Sequence, residues 1–193
     1  LHHIINYDER RAAAVAKNQE LQSVRDALSE AGLPPRIVTG SGTGTFEFDA
    51  AQNVFNELQC GSYLFMDSDY NAVTPSDDER LRFETSLFVL ATVVSANHPG
   101  LATIDAGYKS FFPRGPKPAV AAGAPAATEY EFRGDEHGHL LFADSHYRAQ
   151  VGQKVLLVTL HCDPPVNLFD HYHCVRGETL VDIWPVDARG HCA

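Results

Sequence analysis

Helical periodicity in this chain ends near Asp67, and strand after strand fills the remainder. Residues 8–31 read as one long helix with Leu21, Val24, Leu28 and Ala31 as its apolar stripe, stopped by Gly32-Leu33-Pro34-Pro35. Residues 36–39 read as a short strand, 50–58 as a second helix and 63–66 as another strand. That order is the grammar of an α/β barrel or a doubly wound sheet. Beyond it, strand patterns recur at 85–95, 101–104, 129–132, 140–142, 155–160 and 179–184, with no long helix between them. These predict an antiparallel β domain, with residues 1–75 and 76–193 as the two parts. The Pro/Ala/Gly-rich stretch 113–128 predicts a mobile surface loop. Eight strand–helix units need about 200 residues, so the first part is expected to be the back end of a barrel.

Bulk properties narrow the partners. The 193 residues are 44% hydrophobic, enough for a real core, and carry a formal charge of −10 from 15 basic and 25 acidic side chains. No Lys/Arg cluster interrupts that balance, so neither nucleic acid nor an anionic membrane is an expected partner. No apolar run approaches the roughly 20 residues of a membrane span. Leu1-His2-His3-Ile4-Ile5 lacks the features of a signal peptide and an initiator Met, so a processed, tagged or truncated chain is expected. Cys60, Cys162, Cys174 and Cys192 show no paired spacing, which predicts a reducing, cytoplasmic setting. His2, His3, His98 and His191 are expected to be surface residues without a role.

Several stretches carry chemistry. Gly40-Ser41-Gly42-Thr43-Gly44-Thr45 comes directly after a strand, where backbone N–H groups, hydroxyls and a nearby helix start can hold an anion. A flexible tight turn is the other open reading. Gly61-Ser62-Tyr63 is either a second donor set or a turn with a core tyrosine. The run Val155-Leu156-Leu157-Val158-Thr159-Leu160 reads as a buried strand leading into His161-Cys162-Asp163-Pro164-Pro165-Val166-Asn167. Strand alternation then points His161 and Asp163 the same way and Cys162 the opposite way. An imidazole and a carboxylate so placed can share a divalent ion or simply pair with each other. His171 and His173 form a weaker rival, because no apolar strand leads into them. Gly134-Asp135-Glu136-His137-Gly138-His139 is a hairpin turn, or a Glu/His pair placed for proton transfer.

Taken in order, these segments resemble the fold-type III, pyridoxal-phosphate-dependent D-threonine aldolase and D-serine dehydratase family. The matching stretches are residues 38–49, 61–67, Asp105-Ala106-Gly107-Tyr108-Lys109, Glu136-His137-Gly138, 161–167 and Val181-Asp182-Ile183-Trp184-Pro185. The resemblance implies an α/β plus β architecture: the C-terminal part of an alanine-racemase-like TIM barrel followed by an antiparallel β domain. It also implies pyridoxal 5'-phosphate, with its phosphate on Ser41, Gly42, Thr43, Gly44 and Thr45 and with Gly61, Ser62 and Tyr63 nearby. His161 and Asp163 match the family's divalent-metal ligands, for Mn, Zn, Co or Mg. His-x-Asp resembles the aldolase branch and His-x-Cys the dehydratase branch, so Asp163 implies cleavage of D-3-hydroxy amino acids such as D-threonine to glycine and an aldehyde. Glu136 or His137 is the implied base. Ser41 and Pro165 stand where Gly and Thr are more usual.

One departure dominates. The family's Schiff-base lysine lies in a Pro-His-x-Lys-Thr-type segment, and the only lysines here are Lys17, Lys109, Lys117 and Lys154, none in that context. The chain is therefore expected to be inactive alone, and to form a homodimer or associate with a missing N-terminal half. A D-serine dehydratase-like lyase and a non-catalytic metal- or phosphate-binding remnant are the alternative readings.

Overall fold

A computed structural model describes residues 1–73, 82–112 and 116–191. The chain divides into two units, Leu1–Ser86 and Leu87–Ala193. The boundary expected at residue 75 lies outside the described residues.

The first unit is built around helix α1 (Tyr7–Glu30), which Asn6 caps by accepting a hydrogen bond from the Glu9 N–H at 3.0 Å. Its buried face is not the expected apolar stripe. Arg10, Ala14 and Asn18 are buried, whereas Val24 is 54% and Leu28 38% exposed. Polar side chains occupy the buried face because each finds partners there. The Arg10 guanidinium donates to the Gly44 carbonyl at 2.8 Å and to the Ile4 and Ile5 carbonyls at 2.7 and 3.1 Å. Its charge also lies over the rings of Tyr7 and Phe48.

Strand β1 (Thr39–Gly40) pairs in parallel with β2 (Glu57–Leu58), and α2 (Phe46–Gln52) forms the crossover. The second helix thus begins before the expected Ala50 and ends at Asn53, whose φ of 55° places it in the left-handed region. The strand expected at 63–66 is instead a single 3-10 turn, Ser62–Leu64. Four apolar residues do not by themselves distinguish the two. Helix α3 (Ser68–Asn71) comes next, capped by Asp67 accepting from the Tyr70 N–H at 2.8 Å.

The second unit is an antiparallel sheet of β3 (Phe88–His98), β4 (Leu101–Ile104), β5 (Ala119–Ala122), β6 (Glu129–Phe132), β7 (Gly138–Leu141) and β8 (Lys154–Val158). The strand order is β5-β8-β3-β4-β7-β6. Strand alternation places Val89, Ala91 and Val93 of β3 inside, with Ile104, Leu140, Val155 and Leu157 beside them. Strand β5 falls in the stretch expected to be a mobile loop. Its small residues form an edge strand, with Ala119 opposite Val158 and Val120 opposite Leu157. Residues 113–115 of that stretch lie outside the described residues. A separate two-stranded ribbon, β9 (His171–Arg176) with β10 (Thr179–Pro185), completes the unit and leaves Val175, Leu180, Val181, Ile183 and Trp184 exposed.

Two of the sequence motifs are stapled together in this unit. The Tyr108 and Lys109 N–H groups donate to the Gly134 and Asp135 carbonyls at 3.1 and 2.9 Å. The Tyr130 hydroxyl donates to the Ala106 carbonyl at 2.9 Å. Backbone meets backbone so closely that a Cβ on Gly107 would stand 2.5 Å from the Gly134 oxygen and the His137 nitrogen. Gly107→Ala is therefore expected to destabilise the protein by about 2 kcal/mol. An unchanged urea midpoint would show that the contact yields freely. Arg10→Ala leaves three carbonyls without their donor and is expected to cost about 2–3 kcal/mol, read as a lower urea midpoint by circular dichroism. A loss under about 0.5 kcal/mol would contradict that role.

Candidate active site

The loop Ser41–Thr45 comes after β1 and is shaped from below. Thr45 donates its hydroxyl proton to Asp49 Oδ2 at 2.7 Å, and Asn18 donates to Asp49 Oδ1 at 2.6 Å. Thr43 Oγ1 accepts from the Tyr63 N–H at 3.0 Å, tying the segment after β2 to the loop. Among the described residues, the main-chain N–H groups of Ser41, Gly42, Thr43 and Gly44 have no acceptor. They form a run of consecutive donors, the arrangement that receives an anion.

Ser41 has a φ of 72°, and its hydroxyl oxygen is buried with no nitrogen or oxygen partner. The Cys60 thiol beside it is pushed up in pKa by burial, and the Ser41 hydroxyl opposes that shift. A strained, buried serine next to a row of open N–H groups fits a phosphate ester. The expected donors divide accordingly. Ser41, Gly42, Thr43 and Gly44 offer N–H groups, Thr45 is committed inward to Asp49, and the Tyr63 N–H is taken by Thr43. Gly61 and Ser62 keep open N–H groups in the neighbouring 3-10 turn. The crossover α2 spans only Phe46–Gln52, so the glycine loop rather than a long helix dipole makes this cradle.

His161 and Asp163 do come together, but not along a strand. Strand β8 ends at Val158, and a short helix α4 (Asp163–Val166) begins at Asp163. Pro164, in the first turn of α4, has a ring that pre-sets helical φ and lacks only an N–H that no helix bond needs there. His161 Nε2 lies 3.6 Å from Asp163 Oδ2. Two donors about 2.1 Å from one tetrahedral ion stand roughly 3.4 Å apart, so the pair fits a shared metal. His161 is 29% and Asp163 74% exposed at the side chain, leaving coordination positions open to water or substrate. The expectation that Cys162 faces away is corrected. Its buried thiol donates to Asp163 Oδ1 at 3.4 Å, because a turn rather than alternation sets its direction.

Glu136 and His137 are both exposed on the turn before β7. Lys109 binds the Glu136 carboxylate, and that hydrogen bond and charge hold its pKa below the ordinary carboxylate value. His171 and His173 lie exposed on one face of the ribbon strand β9. Sequence reading missed Arg10, Asn18 and Asp49, and it dismissed His2. The one signal for the first two was their recurrence with Ala14 at every fourth position of α1.

No helix among the described residues is long and apolar enough to cross a membrane. The family described as "Putative serine dehydratase domain" matches residues 86–175. Over 98% of its length the chain is 36% identical to 3-hydroxy-D-aspartate aldolase of Paracoccus denitrificans. Over 94% it is 42% identical to D-threonine aldolase of an Arthrobacter species. The chain spans about half the length of these curated relatives. The crystal structure of D-threonine aldolase from Filomicrobium marinum superposes with a TM-score of 0.92 at 39% identity, covering 100% of this chain and 52% of that one. An alanine racemase of Clostridium difficile shares the fold, with a TM-score of 0.53 at 15% identity, over 96% of this chain and 54% of that one. On this likeness the chain belongs to the family of D-threonine aldolase and 3-hydroxy-D-aspartate aldolase.

Proposed function

We infer that these 193 residues are part of a lyase that depends on pyridoxal phosphate and a divalent metal and cleaves D-3-hydroxy amino acids. The observation that carries this reading is the 3.6 Å separation of His161 Nε2 and Asp163 Oδ2 in a chain of aldolase family. The N–H groups of residues 41–44 would hold the cofactor phosphate, and His161 with Asp163 would hold the metal. When bound, the cofactor withdraws charge from the substrate's Cα and the metal acidifies its β-hydroxyl.

The protein's own residues then have defined tasks. Cys162 fixes the Asp163 carboxylate by hydrogen-bonding its other oxygen. Glu136 is held ionised by Lys109 and is a weak base in that state. The imidazole of His137 takes the hydroxyl proton as Cα–Cβ breaks, and Cα gains a proton to give glycine. D-Threonine yields acetaldehyde in this way, and 3-hydroxy-D-aspartate yields glyoxylate.

None of the four lysines suits covalent attachment of the cofactor. Lys17 pairs with Glu20, Lys109 with Glu136 and Lys117 with Glu131, while Lys154 donates to Thr92. Catalysis in this reading therefore needs a lysine from outside these residues, on the same polypeptide or on an associated chain, a second copy included.

Two measurements test the proposal. Manganese binding to the chain, measured by electron paramagnetic resonance, is expected to weaken at least about tenfold in His161→Ala and Asp163→Ala. Equal binding by the variants would remove the metal site. A polypeptide that carries these residues together with a lysine-bearing segment is expected to release acetaldehyde from D-threonine. Release of ammonia without aldehyde would make it a dehydratase instead, and neither product would sink the lyase reading.

A further inference from the structure

The anion cradle has a wall that sequence reading assigned no role. His2 is half-buried between the exposed Leu1 and His3, and its ring lies over the glycine loop. A Cβ on Gly42 would stand 3.1 Å from His2 Cε1 and Nδ1, and one on Gly44 would run into the His2 carbonyl. Glycine is required at position 44 because the His2 backbone occupies that space, and at position 42 a side chain would press on the His2 ring.

The hydrogen bonds around His2 fix its tautomer. Thr45 has one hydroxyl proton and gives it to Asp49 Oδ2, so Thr45 Oγ1 can only accept from His2 Nδ1, 3.0 Å away. Nδ1 therefore carries the ring proton, and Nε2 of the neutral ring presents a lone pair. Burial is the largest influence lowering the affinity of His2 for a second proton. His3 acts in the same direction, and Asp49 acts against it.

Position agrees with chemistry. In a β/α barrel the residues that precede a helix lie at the same end as the loops that leave the strands, the end where such folds place their sites. His2 precedes α1, Ser41–Thr45 leave β1, and His2 touches that loop directly.

We propose that His2 is a further ligand-binding residue of the cradle, its Nε2 accepting the proton of a bound phosphate monoester. The proposal rests on the reading of Ser41–Thr45 as a phosphate cradle. It also adds a selectivity that the N–H groups alone lack. A P–O–H proton, which inorganic phosphate keeps at neutral pH and a monoester carries as its monoanion below a second pKa of about 6, bridges to Nε2 with no net uptake. Sulfate is the same size but carries no proton at neutral pH, so it would meet the Nε2 lone pair directly.

The test uses the 193-residue chain with inorganic phosphate and sulfate, titrated calorimetrically at neutral pH. Phosphate is expected to bind about tenfold or more tighter than sulfate, the worth of one hydrogen bond to a charged group. His2→Asn keeps a donor for Thr45 but has no atom in place of Nε2. It is expected to lose that preference through weaker phosphate binding, with sulfate binding unchanged or tighter once the lone pair is gone. The nitrogen-15 resonance of His2 Nε2 in the unsubstituted chain is expected to shift with phosphate and not with sulfate, a readout that needs no variant to fold. Phosphate binding unchanged in His2→Asn, or an Nε2 resonance that ignores phosphate, would overturn the role of His2 alone. Failure of the unsubstituted chain to bind either anion would overturn the cradle reading and this inference together.

Discussion

A buried carboxylate organises the first unit. Asp49 is almost inaccessible to water, and its two oxygens are taken by Asn18 from α1 and Thr45 from the glycine loop. A charge in that position is tolerable only because both oxygens are hydrogen-bonded. The same bonds set the distance between α1 and α2 and hold the loop from beneath. Arg10 does the same at the Gly44 carbonyl. Loop shape is therefore dictated by buried partners, and a glycine-rich segment held in this way would bind an anion without a large ordering cost.

The second unit obeys a different constraint. Its sheet is an ordinary alternating β structure, and the unusual feature is the approach of residues 105–109 to the turn at 134–137. Gly107 permits backbone contact there, and Gly138 leaves space for the Tyr130 ring and the Ala106 carbonyl. Burial pushes the Tyr130 phenol well above its ordinary pKa, so its bond to Ala106 persists into strongly alkaline solution. Lys109 and Glu136 meet because those two backbones are locked together.

Legibility in the sequence tracked the strength of the local signal. Strands rich in β-branched and apolar residues, such as β3 and β10, were readable, and so was the long α1. Its buried face was not, since periodicity counts apolar residues and this face is held by Arg10 and Asn18. The edge strand β5 was hidden in a composition typical of loops, because small residues pair well enough when a neighbour such as β8 supplies the apolar bulk. The His161–Asp163 pair was found through a mistaken route. Alternation predicted it, but β8 stops at Val158 and the turn leading into α4 produced the juxtaposition. His2 was beyond reach, because nothing local to residues 1–5 foretells a contact with Thr45.

The ribbon of β9 and β10 carries the chain's only tryptophan. Trp184 is 56% exposed, and its indole N–H donates to Asp182 Oδ2 at 2.7 Å, a partner on its own strand. A two-stranded ribbon is marginally stable in water. Tryptophan emission in this protein is thus a reporter of one exposed hairpin. It is silent on the sheet, whose buried aromatic groups are Phe111, Tyr130 and Phe142. An unfolding curve drawn from that emission would trace the ribbon, and the core would have to be watched through its tyrosines.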